Sequence, residues 1–196
     1  MGRPRLAEND VATSERLLTA AQAEFGRAGF DGTRLEDIAT AAGIRRPSLL
    51  YHFGSKDALY AAAVNQTFAR LGEALEAAMQ TQGSYRRRFD AVFERYLGFL
   101  ESEPDLVRLV LRELLDGRGP GQEVLLTAGL PILARIERFV RDEGRGIVRA
   151  GLPIRAALLE VVSAAFVRCA SGPLRVPLWG KTDRTLDIVH ALFFDE

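Results

Sequence analysis

The chain has 196 residues, which allows one or two domains on a prior of about 150 residues each. Apolar residues make up 47% and charged residues 27%, a balance that is ordinary for a globular chain and argues against disorder. Twenty-six basic residues offset twenty-six acidic ones, so the surface as a whole is not built to hold nucleic acid or an anionic membrane by charge alone.

In chain order, the opening MGRPRLAEND carries Arg3 and Arg5 but no apolar stretch behind them, so a secretory signal is not expected. Leu6 stands where a myristoylation pattern needs Ser or Thr. Leu18, Ala21, Phe25 and Ala28 recur at spacings of three and four and predict a helix, with Gly29 placed to stop it. Phe30-Asp31-Gly32 is a turn. Thr33-Arg34-Leu35-Glu36 reads as a capping box, the threonine oxygen accepting a free backbone N–H while Glu36 reaches back. A short helix follows with Leu35, Ile38, Ala39 and Ala42 inward; Gly43 breaks it, and Ile44 to Phe53 forms a third. Ser55 caps a fourth helix from Lys56 to about Met79, with Leu59, Ala62 or Ala63, Thr67, Leu71, Ala74 and Ala78 in its apolar row.

A helix from about Ser84 to Glu101 buries Phe89, Val92, Phe93, Tyr96, Leu97 and Leu100. Pro104 opens the next, which ends near Asp116 before the loop Gly117 to Gly121. Another helix covers roughly Leu130 to Asp142, its start blurred by Pro131. Pro153 opens a long apolar helix to about Cys169, and Asp183 to Phe193 gives the last. No period-2 strand and no long repeat is visible. The predicted fold is all-α with eight or nine helices: a small unit of three short helices over 1–55, then a larger helical bundle over 56–196.

Cys169 is the only cysteine, and His52 and His190 are the only histidines. That excludes a disulfide framework and a multi-cysteine or histidine-rich metal site, so neither metal nor cofactor is expected. The most apolar stretch, 156–167, is too short to span a bilayer. A soluble, cytoplasmic protein with no membrane partner is the expectation.

Residues 34–53 have helix-turn-helix spacing. Gly43 suits the tight turn because its backbone reaches positive φ without a Cβ clash. The second helix would lie in a DNA major groove with Arg45, Arg46, Pro47 and Ser48 toward base edges. Arginine donates bidentately to guanine O6 and N7, and Pro47 is tolerated in a first turn where its missing N–H has no helical partner. Taken alone, two arginines at an exposed helix start read as a solvated surface. The stretch from Leu17 to Leu59 resembles the N-terminal domain of the TetR family of transcriptional regulators. The resemblance rests on Ala20-Ala21, Phe25, Gly29-Phe30, Gly32-Thr33, Ile38-Ala39, Ala42-Gly43-Ile44, Tyr51-His52-Phe53 and Ser55-Lys56. It implies a homodimer on a palindromic double-stranded operator, paired through its last two helices and switched by a ligand in the C-terminal domain. Carried over by position, Thr33, Tyr51, His52 and Lys56 would touch phosphates, and residues 45–48 would face bases. Two departures stand out: Arg45 replaces a small polar residue, and Leu50 replaces a usual tyrosine, removing one backbone contact.

The C-terminal part is less explicit. Ala157, Val161, Ala164, Ala165 and Arg168, with Leu186, Val189 and Phe193, form stripes that predict a dimer interface or else close the protomer's own core. Phe93, Tyr96, Leu100, Leu130, Phe166, Cys169 and Trp179 are either the lining of a pocket for an unknown small-molecule effector or ordinary bundle core. His190 is read as an interface or core residue and Arg86-Arg87-Arg88 as a solvated face. The function that follows is a DNA-binding repressor released by a small molecule; a ligand-free DNA-binding adaptor is the alternative. An enzyme is disfavoured, because phosphate-loop, dinucleotide-binding and nucleophile-elbow motifs are missing.

Overall fold

A computed structural model describes residues 4–116 and 121–195, with side chains described for 10–115 and 121–195. The expectations for Arg3, Arg5 and most of the Gly117–Gly121 loop lie outside those residues. Helix α1 (Pro4–Gly32) is interrupted at Gly29, whose φ of 75° ends the regular turns. It is followed by α2 (Leu35–Ala41), α3 (Arg46–Phe53) and α4 (Lys56–Met79), whose Ser55 cap accepts from the Ala58 N–H at 3.1 Å. Then come α5 (Tyr85–Ser102), α6 (Pro104–Asp116), α7 (Gly121–Arg138), α8 (Ile154–Ala170), the short α9 (Arg175–Trp179) and α10 (Thr185–Phe193). The described residues contain no strand, and the all-α expectation holds. No described helix is long and apolar enough to cross a membrane.

Two boundaries differ from the sequence reading. Helix α7 begins at Gly121, not near Leu130, and runs through Pro131. Proline deletes one helical N–H, but Pro131 and Thr127, whose carbonyl loses that donor, both lie on the exposed side of the helix. The same helix ends in a π turn, Phe139–Glu143, that buries both Phe139 and Val140. The expected capping box does not form either. Arg34 occupies the N-cap of α2 without a side-chain bond, and the Thr33 hydroxyl turns back to α1, donating to the carbonyls of Gly29 (2.7 Å) and Glu24 (3.0 Å).

Two apolar cores meet along α4. Its first half supplies Leu59, Tyr60, Ala63 and Val64 to a core with Leu17, Ala21, Phe25, Ile38 and Leu49. Its second half supplies Leu71, Leu75 and Met79 to a core with Phe89, Phe93, Leu100, Leu158, Val189 and Phe193. The N-terminal helices are seated on the body mainly through α1 and α6, the most extensive contact between any two elements among the described residues. Gly26 makes that approach possible: a Cβ there would stand 2.7 Å from the Asp105 carbonyl oxygen and 2.9 Å from its Cα. The Gln22 amide donates to Glu103 at 2.6 Å, Arg70 also pairs with Glu103, and Arg112 donates to the Arg27 carbonyl at 3.2 Å.

Backbone cannot retreat as a flexible side chain can. Gly26→Ala is therefore expected to cost about 1–3 kcal/mol by overpacking. At roughly 2–4 °C per kcal/mol for a chain of this size, the melting temperature should fall by several degrees. Thermal unfolding followed by circular dichroism measures it.

Candidate nucleic-acid interface

The turn between α2 and α3 closes as the glycine predicts. Gly43 has φ 70°, and the Ile44 N–H donates to Ala39 O at 2.9 Å across it. Leu49 is fully buried beneath α3, which anchors one face of that helix and leaves its start outward. Arg45, Arg46, Pro47 and Ser48 are all exposed. Arg45 is the N-cap in extended conformation, and Pro47 sits in the first turn, where a missing N–H costs nothing. Tyr51 follows one turn later and is 83% exposed, an unusual placement for a large aromatic ring that no core claims.

The remaining predicted residues are placed unequally. His52 is half-buried, its Nδ1 3.5 Å from Ser14 Oγ, so α1 steadies the ring. Lys56 is half-buried as well: Nζ lies 4.6 Å from the centre of the Phe30 ring and donates to Asp31 O at 3.4 Å. It projects at the N-terminus of α4, where a cation opposes the helix dipole and an anion is favoured. Thr33 differs from all of these. It is 2% exposed with its hydroxyl committed to α1, so it is not presented to a phosphate and instead splices α1 to the start of α2. Leu50 is half-buried against the N-terminal core, giving the missing tyrosine's position a packing role.

Sequence reasoning missed one member of this face. Glu36, expected to reach back as a capping residue, instead meets Arg46 at 3.3 Å. Both groups are about half exposed, so the pair contributes no more than about 1 kcal/mol. It nevertheless sets the orientation of Arg46 in the free protein. Only the crossing of α2 and α3 brings these residues together, and no local pattern signals it.

The predicted dimer residues divide. Ala157, Val161, Ala165, Val189 and Phe193 are buried in the protomer's own core, and Leu186 is half-buried against it. Arg168 is also buried, paired with Asp183. Of the set, only Ala164 is exposed. The outward side of α8 is formed by Leu159, Ser163, Ala164 and Val167, and that of α10 carries Ile188 at 62% exposure. Helix α8 carries apolar residues on both sides, with Arg155, Glu160 and Ser163 among its exposed positions, so its apolar spacing alone did not separate the two stripes.

The predicted pocket residues are divided between core and surface. Phe93 packs on Phe89 with ring centres 4.8 Å apart, Tyr96 lies edge-on to Phe166 and donates to Val162 O at 3.3 Å, and Leu100 is fully enclosed. Leu130 and Trp179 are exposed instead, and Cys169 is half-buried with its thiol pushed up by desolvation. Open grooves occur elsewhere, one between α1 and α2 near Arg16, Thr19 and Ala41, another of about 660 Å³ between α4 and α5 near Ala74, Ala77, Ala91 and Gly98. His190 is exposed and joined to Asp90 at 2.6 Å.

Residues 17–63 match the family described as bacterial regulatory proteins, tetR family. The HTH-type transcriptional regulator RutR of Escherichia coli (strain K12) is 49% identical over 55 residues, 28% of this chain and 26% of RutR. The match thus spans about a quarter of that curated relative's length. Among solved structures, a mutant of HlyIIR superposes with TM-score 0.77 over 95% of this chain and 100% of its own, at 19% identity. FadR from Bacillus subtilis, in complex with stearoyl-CoA, gives 0.75 over 91% and 96% at 13% identity. At such identities the likeness establishes the fold.

The Thr33 geometry has a measurable consequence. Thr33→Val keeps the shape but leaves the Gly29 and Glu24 carbonyls without their shared donor, and it should destabilise the chain by about 1–2 kcal/mol. Urea unfolding would show a lower midpoint with an unchanged slope.

Proposed function

With residues 17–63 belonging to the tetR family of bacterial regulatory proteins, we propose that this chain is a sequence-specific DNA-binding transcriptional regulator acting in the cytoplasm, a repressor released by a small molecule. The observation that carries the reading is α3, whose first turn holds four consecutive exposed residues, including two arginines, above a fully buried Leu49. A helix anchored from below with its N-terminal turn outward is the form that enters a major groove. Arg45 and Arg46 face bases; Tyr51, His52 and Lys56 flank them and meet phosphates.

A single short helix contacts few base pairs, so affinity needs two copies on a palindrome. The dimer we propose uses the outward sides of α8 and α10, through Leu159, Ala164, Val167 and Ile188, in place of the buried stripe. In the division we propose, a reading unit over 1–55 and a regulatory unit over 56–196, the first half of α4 completes the core of the reading unit and the second half belongs to the core of the regulatory unit. For an effector, the support is FadR, which shares the fold and holds stearoyl-CoA.

Selection of a duplex from a random pool, followed by binding titrations across salt, tests the DNA reading. Arg46→Ala should relax base preference at one position of each half-site, costing about 1–3 kcal/mol on the selected duplex. Lys56→Ala should weaken every duplex alike and reduce the salt slope by about one. Failure to enrich any duplex would sink the proposal. For the assembly, Ala164→Arg should convert the dimer into a folded monomer by light scattering; an unchanged dimer would remove this face from consideration.

A further inference from the structure

Four buried side-chain atoms lack a hydrogen bond among the described residues, and two of them, Nε and Nη2, belong to Arg168. These two form one edge of the guanidinium, the fork that takes a carboxylate through two parallel N–H···O bonds. Arg168 is only 4% exposed, and a buried guanidinium with an unfilled edge is costly unless something completes it. Its ion-pair partner is Asp183, whose Oδ2 lies against Nη2, while Nε–H is left with no hydrogen bond.

Asp183 is prevented from doing better by its other oxygen. Oδ1 accepts from the Thr185 N–H at 2.9 Å and from the Thr185 hydroxyl at 2.6 Å, which holds the first turn of α10. One carboxylate is thus divided between a buried arginine on α8 and the start of α10. It sits in the segment 180–184, every residue of which is exposed, so the cover over Arg168 is the surface of the molecule. The neighbouring Arg175 is held by Glu101 at 2.6 Å, and Cys169 beside it is kept neutral by burial. Asp183 thus occupies only one of the two donors on the Arg168 edge, and a monoanion that took both would replace its charge.

We propose that Arg168 anchors a small organic carboxylate that displaces Asp183 and fills the Nε–Nη2 edge bidentately, Asp183 being the internal occupant of that position. The site rests on the regulator reading and gives its effector a chemical class. Once displaced, Asp183 no longer ties the start of α10 to α8. Because these helices carry the proposed dimer face, the exchange alters the spacing of the two reading heads.

The test uses the full chain without DNA. Calorimetric titration is run with acetate through octanoate, benzoate and phenylacetate, each beside its primary amide, and with inorganic phosphate. At least one acid should bind, with its amide and phosphate at least tenfold weaker. Asp183→Asn, which removes the competing charge and keeps the guanidinium, should bind that acid about tenfold more tightly. Arg168→Met should lose it; Arg168→Lys, which retains the charge without the fork and covers the case in which Met fails to fold, should weaken it tenfold or more. Silence from every acid, equal binding of the amide or of phosphate, full-strength binding in Arg168→Lys, or no gain in Asp183→Asn would each overturn the site. A chain that selects an operator but ignores all the acids loses this site and keeps the DNA reading. One that binds an acid through Arg168 but enriches no duplex does the reverse.

Discussion

A bare backbone at Gly26 lets α1 lie on α6. The Asp105 main chain fills the place where any other residue would carry its Cβ, so these helices touch without an intervening side chain to absorb movement. Around the contact, Gln22 and Arg70 converge on Glu103, and Arg112 reaches the end of α1 through the Arg27 carbonyl. Farther along α6, Glu113 accepts from the Tyr60 hydroxyl at 2.7 Å, and Tyr60 packs edge-on to Phe25 and Phe30. Packed interiors shift as units and do not deform smoothly. A displacement of α6 therefore reaches α1 and α4 directly, and with them the whole helix-turn-helix.

The charge pattern follows the same economy. Residues 1–60 hold eight basic and eight acidic side chains, so the N-terminal unit carries no excess of its own. Arg46 is partly neutralised by Glu36 at 3.3 Å, and Lys56 is held over Phe30. A surface of this kind releases few counterions on arbitrary DNA. On the proposed DNA reading, discrimination rests on aimed contacts, with Arg46 leaving the Glu36 carboxylate for a better acceptor.

How much of this was legible in the sequence depended on whether local pattern determined the outcome. Gly43 and Ser55 each act within a few residues of themselves, and both behave as read. Thr33 had two local options, capping forward or donating backward, and the choice was made by α1, which the sequence does not place. The stripes of α8 failed for a different reason. Ala157, Val161 and Ala165 on one side and Leu159, Ala164 and Val167 on the other are alike apolar, and only Arg155, Glu160 and Ser163 mark the outer side, so the apolar spacing by itself carries no sign for in or out. The pocket residues suffered the same degeneracy, because Phe93, Tyr96 and Phe166 have the spacing of a lining and of a filled core alike. Glu36–Arg46 and Arg168–Asp183 are contacts between elements, invisible until the helices are laid across one another.

The exposure of the first turn of α3 also bears on how such a protein changes over time. Arg45, Arg46, Pro47 and Ser48 contribute nothing to the core, while the next residue, Leu49, is wholly inside it. Substitutions at exposed positions away from special backbone features shift stability by no more than about 0.5 kcal/mol. The four side chains can therefore be exchanged almost freely without unfolding the domain, whereas Phe25, Tyr60 and Gly26 cannot. If the proposed DNA reading holds, target choice and foldedness are encoded in separate residues, and a duplicated copy of this chain can acquire a new address in the genome through a handful of changes confined to one helical turn.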